Sequence, residues 1–235
     1  MTSVALAGES GEITEIVDIG PSRVVRHRTW AGLGPLVDAC SRAGLAATAL
    51  PCGPAPVGMA APDVWLLSDL PRAAADAFGI LVRLRAEVPG SSGLIMIGGA
   101  YSFEGLDGAG GWFHPASAPL LPLRAPGAPD ATEAPAGVRL SPAPSCPDSL
   151  ARLLGAAPPF FGYNRLEPRP DAAVLAIFDD GEPALVASQP GPRRSIAFAS
   201  DLLPHWGPHT TDWDGFPRFL RELVDLAAGN RSRHG

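Results

Sequence analysis

The sequence predicts an open α/β fold built on a mainly parallel, doubly wound sheet, and three observations predict it. Short apolar runs closed by turn residues recur along the chain. Segments of helical periodicity stand between them. Up to Ile97 the two alternate as β-α-β-α-β, the order that a parallel sheet with helices on its faces requires.

The strands read as Val4–Ala7, Ala46–Leu50, Asp63–Leu67, Gly93–Ile97, Ala173–Ile177, Ala184–Ser188 and Ser195–Ala199. Stretches such as VWLL, LIMI and IAFA are apolar throughout, as strands covered on both faces must be. Three helices follow from spacing. Gly34–Ala43 carries Leu36, Ala39, Cys40 and Ala43 on one face, and Gly44 stops it. Ala73–Glu87 repeats apolar residues at helical intervals before Pro89 and Gly90. Phe216–Ala228 aligns Phe219, Leu220, Leu223, Val224 and Ala227, and Gly229 ends it. The segment 115–147 is rich in Pro, Ala and Ser and reads as a long loop or a pair of short strands. The expected organisation is one domain over residues 1–229 with a frayed tail at 230–235.

Composition narrows the function. With 235 residues, 46% of them hydrophobic, the chain can bury one large core. A net charge of −6 argues against non-specific nucleic-acid binding. All basic residues are Arg, which reads as a compositional habit. Cys40, Cys52 and Cys146 are widely spaced and odd in number, suggesting neither a disulfide framework nor a zinc site. The N-terminus lacks a basic segment followed by an apolar run, and no apolar stretch is long enough to span a bilayer. The expectation is a cytoplasmic protein with a small-molecule ligand, no cofactor, no nucleic acid and no membrane, homo-oligomerisation being left open.

In open α/β sheets ligands bind outside the carboxyl ends of the strands, so the residues just after each strand are the candidates. Glu9 and Ser10 follow the first strand, and Ser68 and Asp69 follow Asp63–Leu67. Gly98, Gly99, Tyr101, Ser102 and Glu104 follow Gly93–Ile97; Ser200, Asp201 and His205 follow the last strand. Ser and Asp at such places also cap helices. Two glycines after an apolar strand permit a sharp turn and close backbone approach of a ligand, but no nucleophile stands at the apex. His205 is the candidate acid or base, with Ser102, Glu104, Asp201 and Asp69 as plausible partners. Asp69, Asp201, His205 and His114 form no short metal-ligand motif, so no metal is expected.

The blocks LIMIGGAYSFEGLDGAGGWFHPASAPLLPL, PPFFGYNRLEPRPDAAVLA and IAFASDLLPHWGPHTTDWDGFPRFLRELVDLAAG, preceded by DVWLLSDL, together resemble the glutamine amidotransferase-like family, relatives of the class I amidotransferases. The resemblance covers nearly the whole chain and is weakest over 1–35. It implies a flavodoxin-like fold with a mid-chain insertion. Class I amidotransferases release ammonia from glutamine with a Cys–His–Glu triad, the Cys on the elbow after a central strand. Here His205 resembles the late histidine. The elbow, within Ile97–Tyr101, has no Cys, and Gly207 stands where the acid would follow the histidine. Glutaminase chemistry needs a thiolate beside a base. The resemblance therefore implies a non-glutaminase relative that binds a small molecule or partner in the crevice. The alternatives are an enzyme reusing the crevice for acid/base work with His205, or a structural subunit with a vestigial pocket.

Overall fold

The apolar runs become the centre of one eight-stranded sheet. The structure is a computed structural model that describes residues 1–8, 12–19, 22–29, 32–50, 54–189 and 194–229. Glu9, Ser10, Cys52 and the tail expected to fray lie outside the described residues. In chain order the elements are β1 (Ser3–Gly8), β2 (Glu12–Ile19), β3 (Ser22–Thr29), α1 (Gly34–Arg42), β4 (Ala46–Ala49), β5 (Val64–Ser68), α2 (Arg72–Ala77), α3 (Ile80–Glu87) and β6 (Gly93–Ile97). There follow β7 (Ala131–Val138), β8 (Leu140–Pro142), α4 (Asp148–Leu154), β9 (Phe160–Asn164), β10 (Ala172–Phe178), β11 (Pro183–Ser188), β12 (Ser195–Phe198) and α5 (Phe216–Ala228).

The sheet order is β4-β1-β5-β6-β12-β11-β10-β8. From β4 to β12 every pairing is parallel; from β12 to β8 every pairing is antiparallel. The expected neighbours β5, β6 and β12 are thus adjacent and run the same way. Their residues are buried at every position, because both sheet faces are covered. On one face α5 packs on β6 and β12 and meets α1 and α4. Its stripe buries Phe216, Phe219, Leu220, Leu223 and Val224, each contributing roughly 1.5–3 kcal/mol by leaving water. The helix lies close because Gly93 has no Cβ: one there would collide with the Ala227 carbonyl.

One expectation is corrected and another is made specific. The helix expected over Ala73–Glu87 is two helices, since Gly79 adopts a left-handed φ of 70° and breaks the hydrogen-bond ladder between α2 and α3. The segment 115–147 contains strands that do not pair with each other. β7 joins β9 in a separate two-stranded sheet, the mid-chain insertion, while β8 adds an edge to the main sheet. The spacing also missed α4 and β9, and the β2–β3 hairpin, which forms a third sheet of its own.

Candidate functional site

The chain writes Ser-Asp-Leu twice, at the ends of β5 and β12, on either side of the turn that leaves β6. All three strand ends are carboxyl ends and face the same way. Asp69 has a φ of 47°, uncommon outside glycine but tolerated by Asp. That conformation lets its Oδ1 accept the backbone N–H of Tyr101 at 2.6 Å. Gly99 has a φ of 150°, and a Cβ there would collide with the Asp69 carboxylate; a Cβ at Gly98 would strike the Ala199 carbonyl. The two glycines are therefore required by the neighbouring strand ends that press on them. Their N–H groups are already committed, Gly98 to the Phe198 carbonyl and Gly99 to Asn164 Oδ1. Gly98 and Gly99 thus act through what their missing side chains admit. Ser102 is buried and its Oγ donates to the Ile97 carbonyl at 2.5 Å, tying the turn back onto its own strand.

The acids set the electrostatics. Asp201 is 2% exposed, and its carboxylate accepts the Leu203 N–H at 2.8 Å. Burial, and then the charge of Asp69, push its pKa well above the usual carboxylate range; hydrogen bonds from Leu203 and Leu202 oppose the shift without cancelling it. Two carboxyls whose charges act on one another in a dry site do not both ionise readily. Asp201 therefore keeps its proton to higher pH than an ordinary Asp. Ser68, 2% exposed, has a buried Oγ with no hydrogen-bond partner. Its counterpart Ser200 donates to the Gly162 carbonyl at 2.6 Å.

Two residues that sequence reasoning did not single out support this arrangement. Asn164, at the end of β9, is fully buried and uses both ends of its amide on Gly99, accepting its N–H and donating to its carbonyl. The same amide donates to Asp130 Oδ1 at 3.0 Å. Asp130 in turn accepts the N–H groups of Glu104 and Gly105 at 2.9 and 2.8 Å. Burial raises the Asp130 pKa against those hydrogen bonds, and burial followed by the Asp130 charge raises that of Glu104. A chain of polar contacts thus runs from Glu104 through Asp130 and Asn164 to Gly99, in the same turn whose Tyr101 N–H donates to Asp69. The only sequence signal for Asn164 was a polar residue closing an aromatic run.

Glu104 also lines an open groove of about 860 Å³ with Arg72, Asp107, Phe113, His114 and the 125–129 loop. Tyr101 is half-buried beside the turn. His205 is exposed and stacks on the buried indole of Trp206, ring centroids 5.0 Å apart. The Trp206 Nε1 donates to Glu133 Oε1, and a Cβ at Gly162 would collide with the indole. His205 thus stands on a packed pillar at the surface, whereas Asp69 and Asp201 are buried. Among the described residues no group of three or more His, Cys, Asp or Glu is placed to hold a metal ion. No helix among them is long and apolar enough to cross a membrane.

The profile of the family described as "Putative glutamine amidotransferase" matches residues 61–228. No curated protein matches by sequence. Among solved structures, the chain is similar to the cytoplasmic protein STM1381 from Salmonella typhimurium LT2, with a TM-score of 0.83 and 23% identity, covering 96% of this chain and 99% of that one. It is also similar to the cytoplasmic protein STM3548 from Salmonella typhimurium, with a TM-score of 0.76 and 24% identity, covering 94% and 97%. These two likenesses bear on the fold.

Proposed function

Within the glutamine amidotransferase-like family, to which this chain belongs, we propose that the protein is not a glutaminase and binds a small polar molecule at the carboxyl ends of β5, β6 and β12. The observation that carries this reading is the elbow. Its turn is Gly98-Gly99-Ala100, and the carboxylate packed against it belongs to Asp69. Among the described residues no thiol stands there. Cys40 is buried in α1 and Cys146 precedes α4, and burial pushes both up to about 11, far from a ready thiolate. In their place the carboxyl ends of β5 and β12 hold the buried carboxyl of Asp201, whose pKa is raised, the carboxylate of Asp69 and the hydroxyl of Ser68, which has no hydrogen-bond partner. Such a set recognises a ligand that both donates and accepts hydrogen bonds. A cytoplasmic location accords with the naming of the two Salmonella proteins.

A second reading is favoured by the raised pKa of the buried Asp201: general acid chemistry of hydrolase, lyase or cyclase type, with Asp201 as donor and Asp69, Glu104 or His205 as further groups. Both readings are tested together. The purified protein is assayed for ammonia release from glutamine, and a metabolite mixture is screened by native mass spectrometry against the wild type and Asp69→Asn. We expect no ammonia, and a bound small molecule that the variant loses. Ammonia release abolished by replacing one cysteine would refute the reading, and a ligand retained by Asp69→Asn would place the site elsewhere. Turnover of the captured molecule would select the second reading.

A further inference from the structure

The loop that follows the turn after β6 forms a wall of the open groove of about 860 Å³. That volume lies high in the roughly 300–1,000 Å³ range of ligand sites. The wall is held in place. Phe103 and Asp107 both have left-handed backbone, at φ 54° and 50°, and with Asp69 they are the non-glycine residues at positive φ among those described. Such conformations persist where the surroundings fix them. Here the Leu106 N–H donates to the Ala100 carbonyl, the Gly110 N–H to the Glu104 carbonyl and the Trp112 N–H to the Phe103 carbonyl, at 2.7, 2.8 and 2.9 Å. The Arg72 N–H donates to the Gly110 carbonyl at 2.9 Å and ties the start of α2 to the same loop.

The groove presents a mixed set of groups on this fixed frame. Glu104 and Asp107 supply carboxylate acceptors, with the buried Asp130 behind Glu104. Arg72 pairs with the exposed Asp76 at 3.6 Å, a contact that leaves most of its N–H donors to other partners. The His114 Nδ1 accepts the Ala116 N–H at 3.2 Å, so the neutral ring carries its proton on Nε2, as a donor. Phe113, half-buried, adds an aromatic wall, and the 125–129 loop completes the lining with Ala, Pro and Gly.

We propose that this groove binds an oligosaccharide, neutral or aminated. Each sugar hydroxyl both donates and accepts, so a run of them uses carboxylate, guanidinium and imidazole together. The negative face of an aromatic ring attracts the C–H face of a sugar ring. Charge decides the subclass. Two carboxylates line the groove against one guanidinium that is already paired, which favours an ammonium substituent and repels an acidic one. A peptide is the poorer fit, because among the described residues no strand lends the groove an edge. Its lining comes from the start of α2, a short 3-10 turn and loops. The proposal is independent of the reading at the strand ends, since Ser68, Asp69 and Asp201 do not line the groove.

The test probes the full chain on a glycan array carrying neutral, aminated and acidic oligosaccharides, with an arginine-rich peptide printed beside them. We expect neutral and aminated glycans to bind, the aminated ones more tightly, and acidic ones to be refused. Isothermal titration calorimetry with the best binder then reads the variants, each first shown by thermal unfolding to fold. Asp107→Asn removes a charge and keeps a residue that tolerates left-handed backbone. It and Glu104→Gln should each weaken binding roughly tenfold and reduce the preference for aminated glycans. His114→Ala, at an exposed position, should weaken binding roughly threefold. Absence of glycan binding would overturn the proposal. So would a preference for acidic glycans or for the peptide, or folded variants that all bind as tightly as the wild type.

Discussion

The two Ser-Asp-Leu segments share a tripeptide and a position at a parallel strand end, and they meet opposite fates. After β12, Ser200 is satisfied by the Gly162 carbonyl, and Asp201 turns onto its own loop, wholly buried. After β5, Ser68 is orphaned, and Asp69 reaches across to the turn after β6 through a left-handed backbone. One segment closes its polar groups on the scaffold; the other leaves a hydroxyl uncommitted and spends its carboxylate on the elbow. The difference teaches that a strand-end motif marks where chemistry can occur, while its neighbours decide which copy caps and which is poised.

The largest expected effect breaks the link between the two segments. Gly99→Val sets a branched side chain at a φ of 150°, which L side chains rarely adopt, into the Asp69 carboxylate. We expect a loss on the order of 3 kcal/mol or more, lowering the melting temperature by several degrees, as thermal unfolding by circular dichroism will read. A variant melting with the wild type would mean that Asp69 does not press on the turn.

Next in size is the contrast between the serines. Ser200→Ala leaves the buried Gly162 carbonyl without its donor and should cost about 1–3 kcal/mol. Ser68→Ala removes a hydroxyl that has no partner, so it should be neutral or stabilising in the same chemical denaturation experiment. Equal losses at both positions would erase the asymmetry.

The acids sharpen the comparison through pH. The folded pKa of Asp201 is raised, so its favourable contribution is fully present below the unfolded carboxyl value of about 3.9 and is lost as pH rises toward the folded value. At neutral pH the wild type therefore carries a penalty that Asp201→Asn lacks. The variant should be the more stable at pH 7, and the gap should close as pH falls toward 4. Glu104 and Asp130 are shifted in the same direction and add to the wild-type slope.

The sequence disclosed the parallel half of the sheet far better than its surroundings. β5, β6 and β12 were legible because strands buried on both faces are apolar at every position, and α5 because its stripe is continuous and glycine-terminated. β7 was obscured by its exposed alternation with a Pro and a Gly inside, and the break between α2 and α3 by apolar spacing that runs on through Gly79. Asp69, Gly98, Gly99 and Asp201 were legible as strand-end residues. Asn164 and Asp130 were not, since their roles arise only when β9 and the start of β7 fold onto the elbow. Nothing local distinguishes Ser68 from Ser200, nor announces that His205 rides on Trp206 at the surface. For that reason His205→Ala should be the mildest of these changes, within about 0.5 kcal/mol.

Burial, and then the charge of Asp69, hold the Asp201 carboxyl above the ordinary carboxylate range. The most direct test is a carboxyl-carbon NMR titration of isotopically labelled protein, with Asp201 assigned by its loss in Asp201→Asn. The Asp201 resonance should titrate above the ordinary carboxylate range, and its midpoint should fall in Asp69→Asn, where the neighbouring charge is gone. A resonance that titrates in the ordinary carboxylate range, unmoved by Asp69→Asn, would contradict it.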